Sequence, residues 1–106
     1  MTDGSSSITL CCLLWARPGH ATDLTAYEDS VLALLADHGA TVLHRVVTIQ
    51  DPSAADDRPD EVQTYSFPNQ AALDAYLSDP RRRDRSGERD RVIARTVLFP
   101  VDLHGD

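Results

Sequence analysis

The sequence predicts an α+β domain, with one four-stranded antiparallel sheet and two helices on one of its faces. Three observations carry this. Strand-like runs and helix-like stretches follow one another in the order β-α-β-β-α-β. A chain of 106 residues, 42% hydrophobic and 25% charged, has the size and composition of one globular domain. The strand runs are apolar at successive positions, so the sheet should be covered on both faces.

The first seven residues, MTDGSSS, are polar and carry an acid but no basic stretch, so they read as a tail rather than a secretory signal. ITLCCLLW, from Ile8 to Trp15, is an apolar run without helix caps and reads as the first strand. Pro18-Gly19 marks a turn. Thr22 then fits an N-cap, Asp23 suits the positive end of a helix, and Gly39 fits its end. Between them Leu24, Tyr27, Val31, Leu34, Leu35 and His38 recur at helical spacing. Ala40 to Gln50 is rich in β-branched residues and reads as a second strand. DPSAADDRPDE is a polar connection, and Val62 to Phe67 is the third strand, in a hairpin with the second. A short helix spans Asn69 to Leu77, and Asp79-Pro80 fits an N-cap with proline at the first helical position. RRRDRSGERDR has six arginines against three acids, a pattern typical of a solvated helix laced with ion pairs. Val92 to Leu103 is the fourth strand, and the last three residues form a tail. The domain is thus expected over residues 8–103.

This order is the ferredoxin-like split β-α-β pattern. Two helices can cover only one face of the sheet. CCLLW, VVTI and TVLF are nevertheless apolar on both sides. A second copy of the sheet is the simplest cover, which predicts a homodimer with a barrel at its interface.

Tyr27, Gly39, Arg45, Phe67-Pro68-Asn69 and Ser78-Asp79-Pro80 together resemble the dimeric α+β barrel superfamily. Within it the chain looks most like small bacterial members of the domain-of-unknown-function type, which are related to antibiotic-biosynthesis monooxygenases. The resemblance covers roughly residues 8 to 103. Two positions depart from it: Ser66 stands where relatives often carry Glu, and Arg82 where they often carry Tyr. The superfamily includes cofactor-free monooxygenases and cyclases, lactone isomerases and haem-degrading enzymes. The resemblance therefore implies the fold and leaves the reaction open.

Strand neighbours point to opposite faces. A guanidinium beneath the helices is costly without a partner. Arg45 is therefore expected on the open, dimer-facing side, and His44 toward the helices or the sheet edge. Arg45 there either clamps an anionic oxygen of a ligand or makes a salt bridge to the partner chain. Arg95, in the fourth strand, is expected beside it. Parity places Cys12 with Leu10 and Leu14 under the helices, and Cys11 with Leu13 and Trp15 toward the barrel. The adjacent cysteines then neither pair nor share a metal. His20 before the first helix, His44 and Tyr65 are the groups whose chemistry suits proton transfer.

Net charge of −7 argues against binding nucleic acid through bulk electrostatics. No apolar run reaches the roughly 18 residues of a membrane span. The expected setting is cytoplasmic. The four histidines form no HxH or HxxxH pair, and CxxC, GxGxxG and Walker motifs are absent, so neither metal nor cofactor is expected. The function implied is a small cofactor-free enzyme of bacterial secondary metabolism. It would act on a polyketide-like or anionic organic substrate by proton transfer with enolate stabilisation, as a cyclase, isomerase or monooxygenase. The alternative is a non-catalytic homodimer that binds a small ligand.

Overall fold

The structure, a computed structural model, describes residues 7–51, 53 and 57–104. Residues 1–6 and 105–106 of the expected tails, and residues 52 and 54–56 of the acidic connection, lie outside the described residues.

Strand β1 (Ile8–Ala16) leads through a turn into helix α1 (Ala21–Leu32). The N-cap is His20 rather than Thr22. The His20 side chain makes no capping hydrogen bond to the backbone; its ring nitrogen Nδ1 lies 2.9 Å from Asp23 Oδ2 in the first turn. The last turns tighten into a 3₁₀ segment, Ala33–His38. Gly39 then takes a φ of 71°, a left-handed conformation that costs glycine little. That reversal delivers the chain to β2 (Thr41–Val47), which is three residues shorter than expected at its C-terminal end. β3 (Glu61–Phe67) returns antiparallel to it.

Asn69 caps α2 (Gln70–Leu77), its Oδ1 accepting from the Ala72 N–H at 2.8 Å. Asp79 caps α3 (Pro80–Arg83) in the same way, accepting from the Arg81 N–H at 2.8 Å. The arginine-rich run thus divides between α3 and α4 (Ser86–Val92), with Gly87 inside the latter. β4 (Ile93–Pro100) closes the fold. The strand order is β2-β3-β1-β4, with every neighbouring pair antiparallel. This is the ferredoxin-like topology the element order predicts.

The helices cover one face. Leu10, Cys12 and Leu14 of β1 are buried there, with Tyr65 and Phe67 of β3. Leu24, Tyr27, Val31 and Leu35 pack onto them from α1 and the 3₁₀ segment, as the helical spacing predicts. On the other face lie Cys11, Leu13 and Trp15, opposite Val62 and Thr64 on one side and Phe99, Val97 and Arg95 on the other. The expected parity of Cys11 and Cys12 holds.

The expected parity of β2 does not. Val42 pairs with Tyr65, but the next register pair is His44 with Thr64, so Leu43 is an extra residue in a β-bulge. A bulge exchanges the faces of everything beyond it. His44 therefore stands on the open face with Thr64. Arg45, opposite Gln63, stands on the helix face. The objection to a guanidinium there is met by a partner: Arg45 Nε donates to Glu61 Oε2 at 2.5 Å, and Glu61 is fully buried. Arg45 also bonds Asp29 and the Thr25 carbonyl of α1. The salt bridge is within one chain, not across a dimer.

Candidate active site

Between the helix face of the sheet and the helices lies a cavity of about 150 Å³. Sequence periodicity explains its polar lining. Glu28 follows Tyr27 on the apolar stripe of α1, four residues after Leu24, so the helix that buries the stripe buries the acid. Gln63 alternates with Glu61, Tyr65 and Phe67 on the inward face of β3. Tyr76 faces inward from α2, Arg82 comes from α3, and Arg89 from α4.

A chain of polar contacts crosses the sheet beneath the helices. The Gln63 carboxamide donates one N–H to Glu28 Oε1 at 2.9 Å and the other to Glu61 Oε2 at 2.8 Å. Glu61 is held in turn by Arg45. Two buried acids thus share one amide, but only Glu61 has a guanidinium in contact. Burial pushes the Glu28 carboxyl up, with the Glu61 charge adding to it. The Gln63 hydrogen bond and the positive charges of Arg45 and Arg89 oppose that rise. Among the described residues Glu28 Oε2 accepts no hydrogen bond, so that oxygen is left for whatever enters the cavity.

Burial also raises the three tyrosines of the lining, Tyr27, Tyr65 and Tyr76, the last to about 12. They stay neutral and can donate hydrogen bonds at ordinary pH. The Cys12 thiol is pushed up to about 12, chiefly by burial. It is therefore a packing group, not a nucleophile. Arg82 stacks on the Tyr76 ring, 4.6 Å from its centroid, and donates to the Leu77 carbonyl at 3.1 Å. Its Nε is buried without an acceptor. Arg89 donates to Thr96 Oγ1 at 2.9 Å. Neither Arg82 nor Arg89 has a carboxylate partner among the described residues, whereas Arg45, Arg81, Arg85 and Arg95 each have one.

The residues expected from sequence are dispersed. Tyr65 lines the cavity, and Arg45 reaches it only through Glu61 and Gln63. Cys11, Trp15, Arg95 and His44 lie on the open face. There Arg95 stacks on Trp15 at 4.3 Å and pairs with Asp57 at 3.3 Å. His44 sits 3.4 Å from Thr64 Oγ1. His20 serves the start of α1. The trio His20, His44 and Tyr65 is not assembled. A shallower depression of about 300 Å³ adjoins the β1–α1 turn. Its polar groups are already used: Asp60 accepts from the Ala16 N–H at 2.7 Å and from Gln50 at 3.0 Å.

Sequence reasoning missed Glu28, Gln63, Tyr27, Tyr76, Arg82 and Arg89. The legible signals were an acid on an apolar helical stripe, a glutamine on an inward strand face, and arginines seven apart. Among the described residues no group of three or more His, Cys, Asp or Glu is placed to hold a metal ion, and no helix is long and apolar enough to cross a membrane.

No family model matches the chain, and no curated protein matches it. Solved structures do. A protein of unknown function from Rhodopseudomonas palustris superposes with a TM-score of 0.74 at 17% identity, over 95% of this chain and 85% of that one. A candidate antibiotic biosynthesis monooxygenase from Bacteroides thetaiotaomicron gives 0.69 at 14%, over 93% and 90%. SnoaB, a cofactor-independent oxygenase from Streptomyces nogalater, gives 0.66 at 11%, over 93% and 96%. A ferredoxin-like protein of unknown function from Bacteroides fragilis, described as dimeric, also gives 0.66, at 10% over 92% and 96%. These likenesses establish the ferredoxin-like α+β fold.

Proposed function

We propose that the cavity is the active site of a small cofactor-free enzyme that moves a proton on an anionic organic substrate and stabilises the resulting enolate. The observation that carries this is Glu28: a buried carboxyl with one oxygen fixed by Gln63 and the other left free, in a cavity that also holds three neutral phenols and two arginines. A carboxyl of raised pKa suits proton transfer near neutral pH. The guanidinium groups of Arg82 and Arg89 supply donors for a developing oxyanion, while the Tyr76 hydroxyl already donates to the Val31 carbonyl and Tyr65 bonds Cys12. In this cavity Glu28 thus takes the role expected of His20 and His44, neither of which lines it, and Tyr65 lines it as a neutral phenol. Absence of a cofactor follows the description of SnoaB.

The reading places a second copy of the chain over the open face. Val46 and Phe99 are 56% and 38% exposed there, and the B. fragilis protein of like fold is described as dimeric.

Solvent-deuterium exchange into small carbon acids, followed by proton NMR, tests the chemistry. Catalysed exchange should appear in the native protein and fall by about 10²-fold or more in Glu28→Gln. Exchange that survives this change, or binding without exchange, would make the chain a ligand-binding protein instead.

A further inference from the structure

We propose that the cavity is built for a single-ring organic anion, held through its charged oxygen by Arg82 and Arg89. This rests on the reading of the cavity as the site and adds the class of compound it takes.

Size is the first argument. The cavity measures about 150 Å³. Drug-sized ligands occupy roughly 300–1,000 Å³, whereas an engineered cavity of about 150 Å³ holds one benzene. A fused polycyclic skeleton does not fit without opening the helix layer.

Charge is the second. Arg45, Arg81, Arg85 and Arg95 carry a carboxylate within salt-bridge distance. Arg82 and Arg89, which line the cavity, have none among the described residues; Arg17, Arg83 and Arg91 also have none but do not line it. With Glu28 protonated the lining carries two positive charges, and with Glu28 ionised it still carries one. The lining phenols stay neutral and do not offset this.

Hydrogen bonding is the third. Arg82 Nε is a buried donor without an acceptor, a state that costs stability until an acceptor arrives. Stacking on Tyr76 and the bond to Leu77 hold the guanidinium plane, so the donor is oriented beforehand. A carboxylate or phenolate oxygen supplies the missing acceptor and the missing charge together. The tyrosine rings supply faces for a flat ring.

The test is isothermal titration with benzoate, its neutral isostere benzamide, and the three-ring anthracene-2-carboxylate. Each is mapped by NMR shifts at Tyr65 and Gln63. Benzoate is expected to bind about tenfold or more tighter than benzamide, to shift both residues, and to weaken about tenfold in Arg82→Gln and in Arg89→Met. If Arg82→Gln unstacks Tyr76 and loses the native circular dichroism spectrum, Arg89→Met and the benzamide comparison still decide. Equal affinity for benzamide and benzoate overturns the proposal. So does tighter binding of the three-ring acid with shifts at Tyr65 and Gln63, which would leave the cavity standing as the site. Shifts confined to other residues, or no binding of any of the three, overturn both.

Discussion

The two faces of the sheet are built from the same four strands and solve opposite problems. The helix face is covered by its own chain, yet it carries polar and charged groups: Glu28, Glu61, Gln63, Arg45, Arg82 and Arg89. The open face is uncovered, yet its centre is apolar: Cys11, Leu13, Val62, Val97 and Phe99. Polar groups under cover are costly where they lack a partner, and apolar groups remain in water only at a cost. On the proposed reading the contrast separates a chemical face from an association face. Chemistry belongs where burial shifts proton affinities, and association where apolar surface lies unspent.

The strongest way to break that comparison is to remove the partner that makes the helix face tolerable. Arg45→Met leaves Glu61 buried beside a second acid, with Gln63 and Thr25 as its side-chain donors among the described residues. Removing one member of a buried ion pair costs about 3–5 kcal/mol. Urea unfolding should show a loss near the lower end, since Arg45 is 23% exposed. A loss under about 1 kcal/mol would mean that Arg45 is not the partner that makes the burial of Glu61 tolerable.

An equal probe of the open face should act on association and leave the fold alone. Phe99→Asp puts a charge at its centre, opposite Cys11. Sedimentation equilibrium should show the dimer weakened by at least tenfold, about 1.4 kcal/mol, with far-ultraviolet circular dichroism unchanged. A monomeric native protein would remove the association face altogether.

The cysteines give the smallest effect and report on both faces at once. Cys12 is buried with its thiol pushed up to about 12, and Cys11 is raised less and is only partly buried. At pH 8 a disulfide reagent should modify Cys11 far faster than Cys12 in the native state, and faster still in Phe99→Asp. Two equally fast thiols would refute the burial of β1 on its helix side.

Much of this architecture was legible in the sequence. The spacing of Leu24, Tyr27 and Val31 gave α1 its buried face, Asn69 and Asp79 marked two helix starts, and alternation sorted Cys11 from Cys12. What defeated sequence reasoning in β2 was a single bulge. Leu43 sits inside a β-branched run with no glycine or proline to mark it, and its insertion exchanged the faces of His44 and Arg45. The site was harder to see for a different reason. Its side chains come from α1, β3, α2, α3 and α4, and only packing brings them together. Arg82 and Arg89 belong to a run that reads as solvated surface. Most of the run is exposed and ion-paired as that reading expects, and only Arg82 and Arg89, both half-buried, line the cavity.

The account turns on Glu28 as a carboxyl that holds its proton more tightly in the fold than an ordinary glutamate does. Because the folded state holds that proton more tightly than the unfolded chain, Glu28's contribution to stability is fully present below the ordinary glutamate pKa. It is lost as pH rises through the folded value. The direct measurement is a carbon-13 NMR titration of the Glu28 side-chain carboxyl, assigned by its disappearance in Glu28→Gln. The predicted result is a midpoint above the ordinary glutamate value of about 4.3, falling when Glu61 is replaced by Gln. A midpoint at or below about 4.3 would make Glu28 an ordinary ionised carboxylate and would contradict the assignment of the cavity as a site of proton transfer.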